Sequence, residues 1–413
     1  MRRVVVTGMS MITPIGNATG SDFQAVENNL KNKKSGIAYM ADWEKFDGLN
    51  TKLAAPIPNF SVPEHYTRKQ TRSMGKVALL ATVASENAIR DANLLGDPIL
   101  ENGQTGVSYG SSSGSIDAIL DFYSMMKKNV VQGISATTYI KMMTHTCAVN
   151  IGLFFGLTGR LIQTGTACTS GSMAIGYAFE AIKSGKQTIM IAGGAEELSP
   201  TQAAVFDTLY ATSTWNDRPH LVPRPFDRDR NGLVIGEGSG TLILEDLDHA
   251  QSRGAKIYAE IAGFGTNTDG AHVTQPSAQN MEKVLRLALE DANLTSDKIG
   301  YINAHGTSTD HGDIAESHAT YNVFGSKTPI SSQKSYIGHT LGACGAIEAM
   351  MSISMMNNNW YAPTINLDNI DPKCAALDYI TGNGREMKNE YVMSNNFAFG
   401  GINTSLIFKK WTN

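Results

Sequence analysis

The sequence has little cysteine and little charge. Its 413 residues include only four cysteines, at irregular spacing and without a CxxC pair. This pattern excludes a disulfide framework and a zinc-finger type of site, and it fits a reducing compartment, so we expect a cytoplasmic protein. Charged residues make up 17% of the chain and the net charge is −4, so no basic surplus predicts nucleic-acid binding.

Long apolar runs are also missing. No stretch of about 18 apolar residues occurs, so we expect no transmembrane helix and no membrane partner. The opening residues MRRVVVTGMSMITPIG lack the apolar segment of a signal peptide. Apolar residues still form 42% of the chain, enough for the core of one large domain or two fused ones. The 40 glycines favour tight turns over a helical bundle.

The order of elements predicts an α/β fold that is duplicated along the chain. Short apolar strands alternate with amphipathic helices, as in α/β proteins. Two similar halves, residues 1–250 and 251–413, would explain the internal repeats. These repeats pair RRVVVTG (2–8) with AKIYAEIAGFG (255–265), ENAIRDANL (86–94) with RLALEDANL (286–294), and the helix after Cys168 with GACGAIEAMMSISMM (342–356).

Cys168 lies where a helix is predicted to begin. It sits in QTGTACTSGSMAIG (163–176), and the apolar pattern predicts a helix over 169–185. A free cysteine is more often a small buried hydrophobe than a reactive group. The N–H groups at a helix start, however, favour the thiolate, and the small neighbouring residues let a substrate approach. Cys168 is therefore a candidate nucleophile.

Two histidines lie at element boundaries in glycine-rich settings, where loops often carry chemistry. They are His305 in NAHGTSTDHGDIAES (303–317) and His339 in KSYIGHTLGACGAIEA (334–349), which also holds Lys334 and Glu348. The alternative is an ordinary surface or core histidine, and His145, His272 and His311 also remain candidates. A metal site is not favoured, because the two histidines are far apart in sequence and no HExxH motif occurs.

At these residues the sequence resembles the β-ketoacyl-acyl-carrier-protein synthases of the KAS I/II group. Five motifs occur in that family's order along almost the whole chain: TACTSG, RPFDRDRNGLVIGEGSG (224–240), HGTSTDHGD, KSYIGHTLGACGA and NNFAFGGIN (395–403). The resemblance implies a thiolase-like fold, in which two duplicated βαβαβαββ halves stack as a five-layered αβαβα sandwich, usually as a homodimer.

The resemblance also implies a reaction, the decarboxylative Claisen condensation of fatty-acid elongation. Cys168 would take an acyl chain from acyl carrier protein, with the backbone N–H groups of Cys168 and Phe399 as an oxyanion hole. His305 and His339 would stabilise the enolate formed from malonyl-acyl carrier protein. Lys334 would hold the charge network around His339. No cofactor is expected beyond the phosphopantetheine arm that the carrier protein brings.

Further roles follow from the same resemblance. Substrate contacts are expected at Thr307, Thr309, Ser113, Phe397 and His272, with the two threonines on the phosphopantetheine arm. Supporting charges are expected at Glu316, Glu348 and Asp313. A monovalent cation is expected at Asn303, Glu348, Ser394 and Asn403, although Glu348 could equally be a buried partner for a nearby donor.

The expected partner is an acidic carrier protein, together with a second subunit, identical or related. Exposed basic residues near the tunnel mouth would meet the carrier protein, and the alternative is an ordinary solvated face. The candidates are Arg68, Lys69, Arg72, Lys127 and Lys128.

Several positions depart from the family pattern. They are Ser113, Trp215, Asp310, His311, Ile337, Ala398 and Ile402. Because they cluster around expected substrate and partner contacts, the sequence leaves the identity of the acyl substrate open. The alternative is a specialised type II ketosynthase of aryl polyene or polyketide synthesis, paired with a chain-length-factor-like subunit.

Three other classes are less well supported by the sequence. A catalytically silent chain-length factor lacks the nucleophile, whereas Cys168 is present here. A degradative thiolase needs a second catalytic cysteine late in the chain, and Cys344 and Cys374 are not in a matching motif. A starter enzyme of the KAS III type would pair cysteine with histidine and asparagine, and His339 in its GH motif argues against that.

Overall fold

The computed structural model describes residues 1–412. Its central element is a twelve-stranded sheet. The strands of this sheet and of two smaller ones, in chain order, are β1 (Val4–Thr13), β2 (Gly16–Thr19), β3 (Ala38–Tyr39), β4 (Leu53–Ala55), β5 (Thr105–Gly110), β6 (Leu161–Gln163), β7 (Ile189–Glu196), β8 (Ile235–Gly236), β9 (Gly238–Asp246), β10 (Ala259–Thr268), β11 (Ile299–Asn303), β12 (Pro329–Ser331), β13 (Trp360–Tyr361), β14 (Asp378–Tyr379), β15 (Arg385–Glu386), β16 (Tyr391–Ala398) and β17 (Ile402–Lys410). Two small sheets, β13–β15 and β3–β4–β8, lie outside it.

The helices alternate with these strands. They are α1 (Gln24–Lys31), α2 (Arg68–Thr71), α3 (Lys76–Asp91), α4 (Ile116–Lys128), α5 (Ala136–Met142), α6 (Thr146–Phe155), α7 (Ser170–Lys183), α8 (Pro200–Asp207), α9 (Leu247–Ser252), α10 (Ala278–Asp291), α11 (Asp310–Phe324), α12 (Lys334–Ile337) and α13 (Cys344–Asn358). Among residues 1–412, no helix is long and apolar enough to cross a membrane.

The large sheet has the same strand order in both directions from its centre. There β1 and β10 pair antiparallel, with Val4 opposite Ile261. From β1 the order is β9, β7, β5, β6, and from β10 it is β17, β16, β11, β12, followed by the short strand β14. In both directions the next two pairings are antiparallel and the following two are parallel. The connectivity of one half is thus repeated in the other.

Helices cover both halves of the sheet and also fill the space between them. Helices α3 and α6 pack on the outer face of the first half, and α10, with α11 against it, packs on the second. Helices α7 and α13 touch each other and contact strands of both halves. This is the predicted five-layered arrangement of helix, sheet, helix, sheet and helix. Because α13 lies in the middle layer, Cys344 to Met356 are all buried.

A close approach between helix and strand occurs in the same form in both halves. A Cβ placed on Gly8 would lie 2.3 Å from the carbonyl oxygen of Ala88, and one on Gly263 would lie 2.5 Å from that of Ala288. The pairing register shifts beside each of these glycines. Only a residue without a side chain lets α3 and α10 pack this tightly on their strands. The repeated segments of the sequence contain the residues that make these contacts: the two glycines lie in 2–8 and 255–265, and the two alanines lie in 86–94 and 286–294.

Two short 3-10 turns precede the central helices and lie against each other. They are Ala167–Thr169 before α7 and Leu341–Ala343 before α13. Each contains a non-glycine residue with positive φ, 50° at Ala167 and 46° at Leu341. The predicted helix over 169–185 therefore begins one residue later, at Ser170. Cys168 and the residues after His339 are brought together by these two turns.

Candidate active site

The sulfur of Cys168 lies in a buried turn and is protonated at neutral pH. The residue is 4% exposed. Burial raises the pKa of the Cys168 thiol to about 11, although the ammonium of Lys334 and the N–H groups of Phe399 and Cys168 itself act in the opposite direction. The expectation that the helix start makes a thiolate is therefore wrong for the resting protein. Loss of hydration outweighs the favourable field of the helix.

His339 faces this thiol as a neutral imidazole. Its Nε2 lies 3.0 Å from Cys168 Sγ, and its Nδ1 accepts a hydrogen bond from the backbone N–H of Leu341 at 3.2 Å. Because Nδ1 is an acceptor, the ring proton is on Nε2. Burial, and then the charge of Lys334, lower the pKa of His339 well below its ordinary value. The ring is thus an uncharged donor directed at the sulfur.

His305 is held in the same form. Lys334 Nζ lies 3.1 Å from its Nδ1, so an ammonium proton is donated there and the ring proton is again on Nε2. Burial, followed by the charge of Lys334 and the neighbouring His339, lowers the pKa of His305 well below its ordinary value. The two imidazole rings are nearly perpendicular, at 88°, with centroids 5.1 Å apart.

Cys168, His305 and His339 form a cluster of three potential metal ligands. One ligand atom of each lies within 4.8 Å of the others. A nitrogen that carries a proton has no lone pair for a metal, and the Nδ1 hydrogen bonds keep the proton of both rings on Nε2. The arrangement is therefore suited to donating two N–H groups to one substrate oxygen rather than to binding a cation.

A buried ion pair lies behind the two histidines. Lys334 Nζ is 2.5 Å from Glu348 Oε1, and the amide of Asn396 donates to Glu348 Oε2 at 2.7 Å. Burial alone would lower the pKa of Lys334, but the Glu348 carboxylate outweighs it and raises that pKa. The lysine therefore stays charged, and it both donates to His305 and disfavours protonation of the two rings.

Two acidic side chains hold the loop that carries His305. Glu316 accepts the backbone N–H groups of His305 and Gly306, both at 2.7 Å. Asp313 accepts the N–H of Ser308 at 3.1 Å. Burial raises the pKa of Glu316 to about 8 and that of Asp313 to about 6. These carboxylates support the loop and do not touch the reacting sulfur.

A cavity of about 580 Å³ opens from the thiol to the surface. Thr307 and Thr309 line it, with their hydroxyls 2.8 Å apart, and Phe397 packs edge-on against His305. His272 lies exposed at the mouth, where its Nδ1 accepts the N–H of Thr274 at 3.1 Å. These four residues, predicted to contact substrate, are thus brought to one cavity.

Phe399 closes one side of this cavity. Its ring packs on Phe206 of α8, with centroids 4.9 Å apart, and Phe206 also faces His339. The next two residues, Gly400 and Gly401, have φ of 86° and 71°, which favours glycine. Gly400 donates its N–H to the carbonyl of Val273, so the turn after Phe399 is joined to the rim of the cavity.

Two predicted roles do not match the geometry, substrate contact at Ser113 and cation binding at Asn403, although Asn403 does line the cavity. Ser113 lies in the turn after β5, outside the cavity lining, with its hydroxyl buried and without a hydrogen-bond partner in residues 1–412. The amide of Asn403 donates to Asn267 at 2.9 Å and to Asp269 at 2.8 Å. It is therefore directed away from the proposed cation ligands, because β17 turns this side chain toward β10 and the loop after it.

The other three proposed cation ligands do lie together. Asn303 contacts Glu348 and donates to Ser394 Oγ at 3.3 Å. The amide oxygen of Asn303 has no partner within residues 1–412. Oxygen donors and a carboxylate suit a hard cation, so Asn303, Glu348 and Ser394 fit such an ion and Asn403 does not.

Comparison with known proteins places this site in a family. The family model "Beta-ketoacyl synthase, N-terminal domain" matches residues 1–250, and "Beta-ketoacyl synthase, C-terminal domain" matches residues 258–368. The chain belongs to the β-ketoacyl synthase family. A 3-oxoacyl-[acyl-carrier-protein] synthase 2 of Vibrio harveyi is 38% identical over 420 residues, which cover 99% of each chain.

Solved structures of β-ketoacyl synthases share the fold over the full length. A β-ketoacyl synthase from Burkholderia phymatum STM815 is 56% identical with a TM-score of 0.98, and all of both chains is covered. A type II polyketide ketosynthase, in complex with its acyl-carrier protein and bound to the hexaketide, is 30% identical with a TM-score of 0.86 over all of both chains.

Sequence reasoning missed several groups of this β-ketoacyl synthase site. Asn396 bonds Glu348, Phe206 packs on Phe399, and Cys344 donates to the carbonyl of Cys168 at 3.1 Å. Asn396 and Cys344 lie inside quoted motifs, yet nothing in their spacing indicates a role. The five basic residues proposed for carrier-protein contact are exposed, and none lines the cavity.

Proposed function

We propose that the chain condenses an acyl thioester with a malonyl thioester, both carried by acyl carrier protein, and releases carbon dioxide and a β-ketoacyl thioester. One observation carries this proposal: two neutral imidazoles, each protonated on Nε2, converge on the space above a buried thiol. A hydrolase or a metalloenzyme would need a base or a metal ligand at these nitrogens. An enolate oxygen instead needs N–H donors.

The first half-reaction transfers the acyl chain to Cys168. The sulfur attacks the thioester carbonyl, and the pantetheine sulfur leaves. The proton of the Cys168 thiol ends on the departing pantetheine sulfur, so the exchange is neutral overall. The N–H groups of Cys168 and Phe399 lie beside the sulfur, where they can stabilise the oxyanion of the tetrahedral intermediate.

The second half-reaction makes the new carbon–carbon bond. The malonyl group loses carbon dioxide, and the electron pair of that bond moves onto the thioester carbonyl as an enolate. The Nε2–H groups of His305 and His339 stabilise its oxygen. The enolate carbon then attacks the acyl carbon on Cys168, the sulfur is released, and it takes one proton. No cofactor is required beyond the pantetheine arm.

The similar proteins support fatty-acid elongation as the pathway. The full-length relative of Vibrio harveyi is named a 3-oxoacyl-[acyl-carrier-protein] synthase. Because a type II polyketide ketosynthase is also similar, a specialised acyl chain is the alternative outcome of the test. Oxygen donors at Asn303, Glu348 and Ser394 support a monovalent cation near the ion pair. We place the reaction in the cytoplasm.

The test is the mass of the intact protein after incubation with acyl carrier proteins that carry different chains. Short and long saturated, polyunsaturated and aryl-bearing chains are compared, and Cys168→Ala is the control. We expect a mass increase of one acyl group on the wild type alone. The chain that loads fastest identifies the pathway. An absence of adduct with every donor contradicts the proposal.

We also propose that two identical chains form the active unit. Within residues 1–412, strand β6 is an edge of the large sheet, and helix α6 packs beside it. Helix α6 and helix α4, which packs on α5, expose large apolar side chains. Examples are Tyr123 at 60%, Met126 at 70% and Leu153 at 71% exposure. Such an edge and patch favour pairing with another chain.

Sedimentation of the purified protein at micromolar concentration tests this pairing. We expect a species of twice the 44.4 kDa chain mass, and Met126→Glu is expected to shift it toward the single chain because a buried charge is costly. A wild-type protein that sediments as one chain contradicts the dimer. Pairing only after a related subunit is added would favour a heterodimer.

A further inference from the structure

Glu196 is a buried carboxylate at the end of β7 that joins three separate segments. It is fully inaccessible. One oxygen, Oε2, accepts the backbone N–H groups of Ser112 and Gly342, both at 2.9 Å. The other, Oε1, accepts the side-chain amide of Gln202 at 2.9 Å. All these donors are uncharged, so none of them balances the charge of the carboxylate.

Two of the three segments lead to parts of the site. Gly342 follows Leu341, whose N–H fixes the tautomer of His339. Gln202 lies on α8, which carries the Phe206 ring that packs on Phe399. Ser112 lies in the turn after β5. One carboxylate therefore connects the turn after His339, the helix that packs behind Phe399 and the turn after β5.

We propose that Glu196 is a positioning residue for the condensation, which keeps the turn after His339 and helix α8 in a fixed arrangement. This inference rests on the proposed function. Its negative charge also lies close enough to oppose ionisation of Cys168, which helps to keep the resting thiol protonated. Burial raises the pKa of Glu196 itself to about 7.

The substitution Glu196→Gln replaces one carboxylate oxygen by an NH₂ group and keeps the shape of the side chain. A glutamine has only one oxygen, so its NH₂ group must face either the amide of Gln202 or the N–H groups of Ser112 and Gly342. At least one segment is then released. Glu197→Gln is the matched control, because Glu197 is also a buried carboxylate but accepts the N–H groups of Val77 and Ile116.

Two measurements on the full-length variants test the proposal. We expect Glu196→Gln to lower the kcat of condensation about tenfold or more, with a smaller change in the KM for acyl carrier protein, because a misplaced catalytic group slows the chemical steps. We expect the pH profile of Cys168 alkylation by iodoacetamide to move down by about half a unit or more, since the nearby anion is lost. Glu197→Gln should stay within about twofold of wild type in kcat.

The outcomes separate this inference from the proposed function. If the wild type condenses and Glu196→Gln matches Glu197→Gln in both measurements, the role of Glu196 is refuted. If the wild type forms no condensation product, the proposed function fails, and the alkylation profile still tests Glu196. Should Glu196→Gln not fold, Gln202→Ala removes the contact of Glu196 to α8, together with the bond that Gln202 accepts from the N–H of Ser199 at the start of that helix. Ser199→Ala, which weakens the same helix start without touching Glu196, is its control. A several-fold lower kcat in Gln202→Ala than in Ser199→Ala supports the proposal, and an equal kcat overturns it.

Discussion

Cys168→Ala is expected to abolish formation of β-ketoacyl product and to leave the fold intact. Without the sulfur no acyl chain can be held for attack by the enolate. Loss of one buried sulfur costs about 1 kcal/mol, on the scale of one buried methylene. Mass spectrometry of the carrier protein measures the product, and thermal unfolding measures the fold. Malonyl decarboxylation should persist, because both histidines remain.

Cys147→Ala is the matched control for this variant. Cys147 is equally buried but lies in the core, where its thiol contacts the carbonyl of Val77. We expect it to retain condensation and the acyl adduct. Condensation by Cys168→Ala at the wild-type rate would show that another group carries the acyl chain.

His305→Ala and His339→Ala are each expected to lower malonyl decarboxylation by about 10²- to 10³-fold, the usual effect of removing one donor to a developing oxyanion. Neither ring is a base in the resting protein, so Cys168 should still accept an acyl chain, more slowly in His339→Ala because its N–H faces the sulfur. Release of carbon dioxide from malonyl-acyl carrier protein measures the first effect, and the intact mass measures the second.

Two further variants sharpen this test. His339→Asn keeps an N–H donor on a shorter side chain, so it should recover part of the decarboxylation lost in His339→Ala. His318→Ala is the control, because this exposed histidine lies outside the cavity lining, with its Nε2 3.0 Å from the carbonyl oxygen of Lys373. Normal decarboxylation in both alanine variants of the site would refute the enolate mechanism, and a defect in His318→Ala would show that the loss is not specific.

The fold was predictable because its constraints are local and repeated. Gly8 and Gly263 must each be glycine where a helix crosses a strand, and the residues that follow Ala88 and Ala288 are alike for the same reason. The repeats in the sequence thus reflect the same packing of a helix on a strand in both halves. The alternation of strands and helices then restricts the chain to a layered α/β arrangement.

The chemistry of the site was only partly predictable. Residue type and motif order identify Cys168, His305 and His339, which the fold brings within one cavity. The protonation of the thiol depends on how many atoms surround it, and these come from distant segments. A helix start alone therefore predicted a thiolate, whereas burial raises the pKa of Cys168 to about 11.

Side-chain direction was the other limit. Asn403 lies opposite Phe397 on the neighbouring strand and lines the same cavity, where its amide bonds Asn267 and Asp269. A motif does not tell which groups such a side chain will meet. Ser113 lies in a turn that is held by a distant residue, because Glu196 accepts the N–H of the neighbouring Ser112. Such long-range contacts leave no periodic pattern in the sequence.

The repeated turn before each central helix has a consequence for the origin of this site. Ala167 and Leu341 correspond, so the N–H of Gly342 is the counterpart of the N–H of Cys168. In one copy this N–H faces the sulfur, and in the other it binds the carboxylate of Glu196. An ancestor with two equal halves would have held two equivalent anion-binding turns. In the present chain one turn faces the sulfur on which a transient oxyanion is bound, while the other is occupied by a carboxyl group of the protein itself.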